Sequence, residues 1–101
     1  MKLYSSKNMS MLESILRNHG FSLRYEKGNF QSGYCVLQDK KVVIVNKFFD
    51  KAGRFRVLTE LLREIPLDPE LLNEEEIEIL DKIVPGWTTA ELFAENAEIN
   101  K

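Results

Sequence analysis

The chain has 101 residues, 44% of them hydrophobic, which suits one compact domain that buries roughly 65% of its unfolded surface and excludes a wholly disordered polymer. No run approaches the roughly twenty apolar residues of a bilayer-crossing helix, and Met1-Lys2-Leu3-Tyr4-Ser5-Ser6-Lys7 lacks the apolar stretch of a secretory signal, so a cytoplasmic protein with no membrane partner is expected. The formal net charge of −2 hides a split: residues 1–66 carry 12 Lys and Arg against 6 Asp and Glu, and residues 67–101 carry 2 against 10.

Met9, Leu12, Ile15 and Leu16 recur at helical spacing, with Ser10 as cap and Asn18-His19-Gly20 as stop, and predict a short first helix. Phe21, Leu23 and Tyr25 alternate with Ser22, Arg24 and Glu26, the period of a half-exposed strand. Gly28-Asn29 reads as a turn, after which Phe30 to Leu37 is a second extended run. Gln38-Asp39-Lys40-Lys41 is the polar tip of a hairpin into Val42 to Asn46. Because Val42 to Val45 is apolar at every position, this strand is expected to be central or covered on both faces. Three antiparallel strands are the economical arrangement. Cys35, the only cysteine, can form no internal disulfide and is expected to pack as a small apolar side chain in a buried strand. A reactive thiol would need His19, the only histidine, as its partner.

Asp50 caps the next helix, on which Phe55, Leu58, Leu61, Leu62 and Ile65 mark one apolar face until Pro66 ends it. Burying those five side chains contributes on the order of 7–15 kcal/mol before entropy is subtracted, so this helix is expected to be the centre of the core. Asp68-Pro69 opens a short segment through Leu72, and Asn73 with Glu76 forms a capping box before Ile77, Ile79, Leu80 and Ile83. Pro85-Gly86 breaks the chain. Thr88 with Glu91 starts a last helix carrying Leu92 and Phe93, with residues 96–101 as a frayed tail. The whole reads as a single α+β domain over residues 1–101: a small antiparallel sheet of about three strands packed against a central helix, with further helices N- and C-terminal.

The order from Gly33 to Glu64 is strand, turn, strand ending in Asn46, a short polar link, then a helix entered through Arg54 and Phe55. This segment resembles the strand and helix of the phage-repressor-cleaving zinc peptidases, the IrrE/ImmA-like family. Where that family carries His-Glu-x-x-His, this chain reads Thr59-Glu60-Leu61-Leu62-Arg63. The resemblance therefore implies a zincin core with its metal ligands lost. Thr59 is a poor neutral ligand, and Arg63 sets a permanent positive charge where the cation would sit. Glu60 is then a surface helix glutamate, within reach of Arg56 or Arg63. The strand and the Asn46-Lys47-Phe48-Phe49 segment also resemble a small bacterial protein family to which no activity is attached.

The five glycines are dispersed and form neither a GxGxxG nor a P-loop, and no serine lies in a Gly-x-Ser-x-Gly elbow. No catalytic residue, metal or cofactor is expected. Two candidate surfaces remain. Trp87, with Leu92 and Phe93, reads either as an anchor for a protein partner or a homodimer, or as a cap on the end of the core; burial separates the two. Lys40, Lys41, Lys47, Lys51, Arg54 and Arg56 form a candidate basic patch. The uncompensated lysines and arginines near the N-terminus of the main helix cost a few tenths of a kcal/mol each, unless the Glu74 to Glu78 run lies against them. The reading is a non-catalytic protein-interaction or scaffold module; the alternative is a nucleic-acid-contacting accessory protein using the basic patch. A residual enzyme built on Glu60 and a metal held by other ligands stands as a third possibility, separated from these by metal analysis.

Overall fold

The computed structural model describes residues 4–87, in the order α1 (Ser6–Asn18), β1 (Phe21–Glu26), β2 (Gly33–Leu37), β3 (Lys40–Asn46), α2 (Lys51–Glu64), a 3-10 turn (Pro69–Leu71) and α3 (Glu74–Ile83). The last helix expected from Thr88, with Leu92, Phe93 and the tail, lies outside the described residues.

The class is α+β: three helices and a three-stranded sheet. The strand order is β1-β3-β2, with β3 in the middle as its unbroken apolar run predicts. The sheet is mixed, however, rather than antiparallel: β2 and β3 form the expected hairpin, but β1 runs parallel to β3 in the register Phe21↔Lys41 to Glu26↔Asn46. Alternation announces a strand but not its neighbour. Placing β3 in the middle gives the most apolar strand a partner on both edges, and the connection from β1 to β2 must then cross the end of β3.

Asn46 holds that crossing. Its Nδ2 donates to the carbonyls of Gly28 (2.9 Å) and Phe30 (2.8 Å), its backbone N–H donates to Ser32 Oγ (2.8 Å), and its Oδ1 accepts from the Phe48 N–H (3.0 Å). Asn46 is only 6% exposed.

Paired positions on neighbouring strands share a face, so Phe21, Leu23, Tyr25, Val43 and Val45 look toward the helices while Val42 and Ile44 look the other way. Val43 and Val45 are fully buried; Val42 and Ile44 are half-buried, so β3 is central but covered on one face only. Cys35 stands opposite Val42 on that uncovered face of an edge strand and is exposed. The expected buried thiol is corrected: register, not composition, decides which way it points.

α1 begins at Ser6 with Ser5 as its cap, whose side chain accepts from the Asn8 N–H (3.0 Å), so Ser10 is an interior residue rather than the cap. Leu12, Ile15 and Leu16 are completely buried, and α1 packs on β1, α2 and α3. It is thus the most widely packed helix, a place the sequence reading gave to α2. α2 buries Phe55, Leu58, Leu61 and Leu62, with Ile65 beyond its end, and its cap is Asp50, accepting from the Gly53 N–H (2.8 Å). α3 starts with the expected capping box: Asn73 Oδ1 accepts from the Glu76 N–H (2.8 Å), and Glu76 Oε1 from the Asn73 N–H (2.9 Å).

His19 ends α1 as a clamp. Nδ1 lies 2.8 Å from the Ile15 carbonyl and Nε2 accepts from the Asp68 N–H (2.8 Å), so one neutral tautomer satisfies both nitrogens and ties α1 to the chain after α2. Gly20 follows with φ +88° and closes the helix through its N–H to the Arg17 carbonyl (2.9 Å).

Candidate functional site

The six basic residues do not form one patch. Lys40 and Lys41 open β3, at the opposite end of that strand from Lys47, and a seven-residue strand separates the two ends by about 20 Å. Lys41 is occupied locally, donating to the His19 carbonyl (3.2 Å) and lying 5.6 Å from the centre of the Phe21 ring. Arg56 is exposed and lies about 200° around α2 from Arg54. The remaining three, Lys47, Lys51 and Arg54, come together.

They converge on a cavity of about 590 Å³ at the carboxyl ends of the parallel strands β1 and β3. One wall is a stripe of α1 at positions i, i+3, i+4 and i+7: Ser6, Met9, Ser10 and Glu13. It runs beside the apolar stripe that faces the core. Tyr25, near the end of β1, forms the floor; Lys47 follows β3 directly; Lys51 and Arg54, one turn apart on α2, form the opposite wall. Tyr4, set edge-on to Phe55 with ring centres 5.6 Å apart, closes one side.

The polar groups here are ordered by one another. Arg54 donates from Nε to the Phe49 carbonyl (2.9 Å) and from Nη2 to the Lys47 carbonyl (3.0 Å), which fastens the β3 to α2 link. Tyr25 O–H donates to Glu13 Oε2. Partial burial, then the bond to Glu13 and its negative charge, push the Tyr25 hydroxyl above its usual pKa near 10, against the opposing pull of Arg17 and Arg54. A tyrosine whose folded pKa is raised contributes stability that is complete below the unfolded pKa and disappears as pH rises through the folded one. Urea unfolding above pH 10 is expected to show the native chain losing stability more steeply than Tyr25→Phe. The difference is at most about 1.4 kcal/mol per pH unit, reduced because water screens a half-exposed group. Parallel pH profiles for the two proteins would contradict it.

The acidic run does not answer this positive cluster. Among the described residues the ion pairs are Lys7 with Glu75 (3.3 Å) and Arg24 with Glu26 (2.5 Å), both exposed. No carboxylate of a described residue lies within 4.0 Å of the charged groups of Lys47, Lys51 or Arg54, and Glu60 pairs with neither Arg56 nor Arg63. The Glu60 pairing envisaged from the sequence is therefore corrected, while the acidic run meets the basic half at Lys7 and Glu75 but not at the cations around the start of α2. Glu74, Glu75 and Glu76 lie in the first turn of α3, where the dipole favours negative charge.

Trp87 is 7% exposed, part of the core, and donates from Nε1 to Asp81 Oδ1 (2.9 Å). The reading as a partner anchor is corrected in favour of the cap on the core's end. Of the positions matching the zincin helix, Thr59 donates its hydroxyl to the Phe55 carbonyl (3.0 Å), while Glu60 and Arg63 are exposed. Glu60 and Glu64 line a second, open groove of about 750 Å³ with Phe30, Phe48 and Phe49.

One surface was not singled out from sequence. Among the described residues β2 pairs with β3 on one side only, and Gly33-Tyr34-Cys35-Val36-Leu37 contains no charge and no proline. Tyr34, Val36 and Leu37 are exposed, Leu37 to 66%. The opposite edge, β1, carries Arg24 and Glu26. The signal was present as an uncharged run, but without the strand order it read equally as an interior strand.

No family model, no curated protein and no solved structure matches the chain.

Proposed function

We propose that this protein is a non-catalytic association module that works by strand addition at β2, and that the added strand is β2 of a second copy. The observation that carries the reading is the open, uncharged edge. Natural edge strands are usually blunted by charge, proline or cover, as β1 is by Arg24 and Glu26, and β2 has no such device within its five residues. A two-fold antiparallel pairing centred on Cys35 sets Tyr34 of each copy opposite Val36 of the other. An aromatic beside a β-branched residue is a favourable cross-strand pair. Tyr34 already touches Phe21 edge-on (6.0 Å between ring centres), so the new pairs extend an existing apolar layer on the helix side.

The same proposal takes the stretch Gly33 to Glu64 as a zincin-like frame without its metal, supported by the hairpin-then-helix order and by the side chains at Thr59 and Arg63. A cytoplasmic setting belongs to it as well, one in which the exposed Cys35 stays a thiol.

Sedimentation equilibrium tests it. The native chain is expected to dimerise. Val36→Lys, a substitution at an exposed edge position, is expected to give a monomer with unchanged circular dichroism. Because facing residues in an antiparallel pair are about 4.5–5.5 Å apart at Cα, within disulfide reach, mild oxidation is expected to link Cys35 to Cys35 in the dimer. A native chain that stays monomeric at high concentration, or a Val36→Lys chain that still dimerises, would remove β2 as the interface.

A further inference from the structure

We propose that the cavity between α1 and α2 binds a small phosphomonoester bearing hydroxyl groups, the chemistry of a sugar phosphate, with the phosphate on Lys47, Lys51 and Arg54 and the hydroxyls on Glu13. This stands apart from the β2 edge and needs no second copy. The first argument is charge. Three cations and one carboxylate leave the lining at +2, with no internal counter-ion among the described residues, although the same chain carries an acidic run elsewhere. A phosphomonoester, whose second pKa is about 6, is close to a dianion at pH 7 and matches that excess. The N-terminus of α2 cannot account for the site by itself, since Asp50 already takes one of its free N–H groups.

The second argument is the arrangement of donors and acceptors. Arg54 spends Nε and Nη2 on backbone carbonyls, which holds its guanidinium in place and leaves Nη1 for a ligand. The side-chain ammonium groups of Lys47 and Lys51 have no hydrogen bond or ion pair to any described residue and add three donors each. Glu13 Oε2 accepts a hydrogen bond from the Tyr25 O–H, leaving Oε1 as an acceptor in a lining whose other polar side chains are cations and hydroxyls. An acceptor of that kind recognises an alcohol, not a second phosphate. Size is the third argument. About 590 Å³ exceeds what an inorganic anion fills and falls within the roughly 300–1,000 Å³ of small-molecule sites. The position also suits a ligand, for in open sheets small molecules collect beyond the carboxyl ends of parallel strands.

Titration calorimetry at low ionic strength, with ribose 5-phosphate, inorganic phosphate, ribose and a single-stranded oligonucleotide as probes, decides the matter. Ribose 5-phosphate is expected to bind the native chain more tightly than either inorganic phosphate or ribose. The double substitution Lys47→Met, Lys51→Met removes two charged contacts and is expected to weaken ribose 5-phosphate at least about tenfold, with an unchanged unfolding midpoint because neither side chain supports the fold. Glu13→Gln is expected to erode the advantage over inorganic phosphate without abolishing phosphate binding. The proposal is overturned if no phosphate probe binds, if the double variant binds as well as the native chain, or if the oligonucleotide outcompetes ribose 5-phosphate.

Discussion

Asn46→Ala is expected to destabilise the fold by about 2–4 kcal/mol, since it leaves two carbonyls and one N–H without their partner in a nearly closed site. A domain of this size has about 5–15 kcal/mol in total, so the loss is a large fraction of its stability. The reason is topological. Residues 27–32 cross the end of β3, and Asn46 bonds to Gly28, Phe30 and Ser32 at once. Without it, the register that pairs Glu26 with Asn46, continued by the Lys47 N–H to the Glu26 carbonyl (2.8 Å), loses its upper end. Urea unfolding supplies a sharper test through Asn46→Asp. An aspartate keeps the volume but turns carboxylate oxygen toward the Gly28 and Phe30 carbonyls, so it is expected to cost more than alanine at pH 7. If volume mattered more than hydrogen bonding, the aspartate would be the milder change.

His19→Phe is expected to cost about 2–3 kcal/mol although it preserves an aromatic ring, because the Asp68 N–H loses its acceptor in a site where the imidazole is only 9% exposed. For a domain near 100 residues, thermal unfolding would register this as a drop of roughly 8–20 °C in Tm. His19→Ala adds the loss of packing and is expected to fall further. A His19→Phe chain as stable as the native one would mean that the clamp between α1 and the chain after α2 contributes nothing. The chain's only imidazole is thus spent on joining two segments 49 residues apart, and both of its nitrogens are occupied.

How much of this was legible follows from the range of the interactions. Asp50 and the pair Asn73 and Glu76 were read correctly as caps because a cap involves residues two or three apart. The face Phe55, Leu58, Leu61, Leu62 and Ile65 was legible for the same reason: helical period maps directly onto one side of a cylinder. Ser10 was misread because the helix starts a turn earlier, at a cap with an equally good serine. Of the candidate site, the three cations Lys47, Lys51 and Arg54 were in view. Ser6, Ser10, Glu13 and Tyr25 were not, since the α1 stripe meets α2 only after the chain has passed through the whole sheet.

The amino-acid sequence by itself determined where the elements lie, which helix faces are apolar, that β3 is the middle strand, and that the chain divides into a basic and an acidic part. Tertiary structure alone decided that β1 runs parallel to β3, that Cys35 faces outward and Trp87 inward, that of the six basic residues only Lys47, Lys51 and Arg54 come together, and that β2 is left as an open edge. The physical reason is that periodicity and capping act within a few residues, whereas strand order and side-chain facing depend on contacts between distant segments. Here two side chains, Asn46 and His19, make such contacts through hydrogen bonds that no local pattern announces.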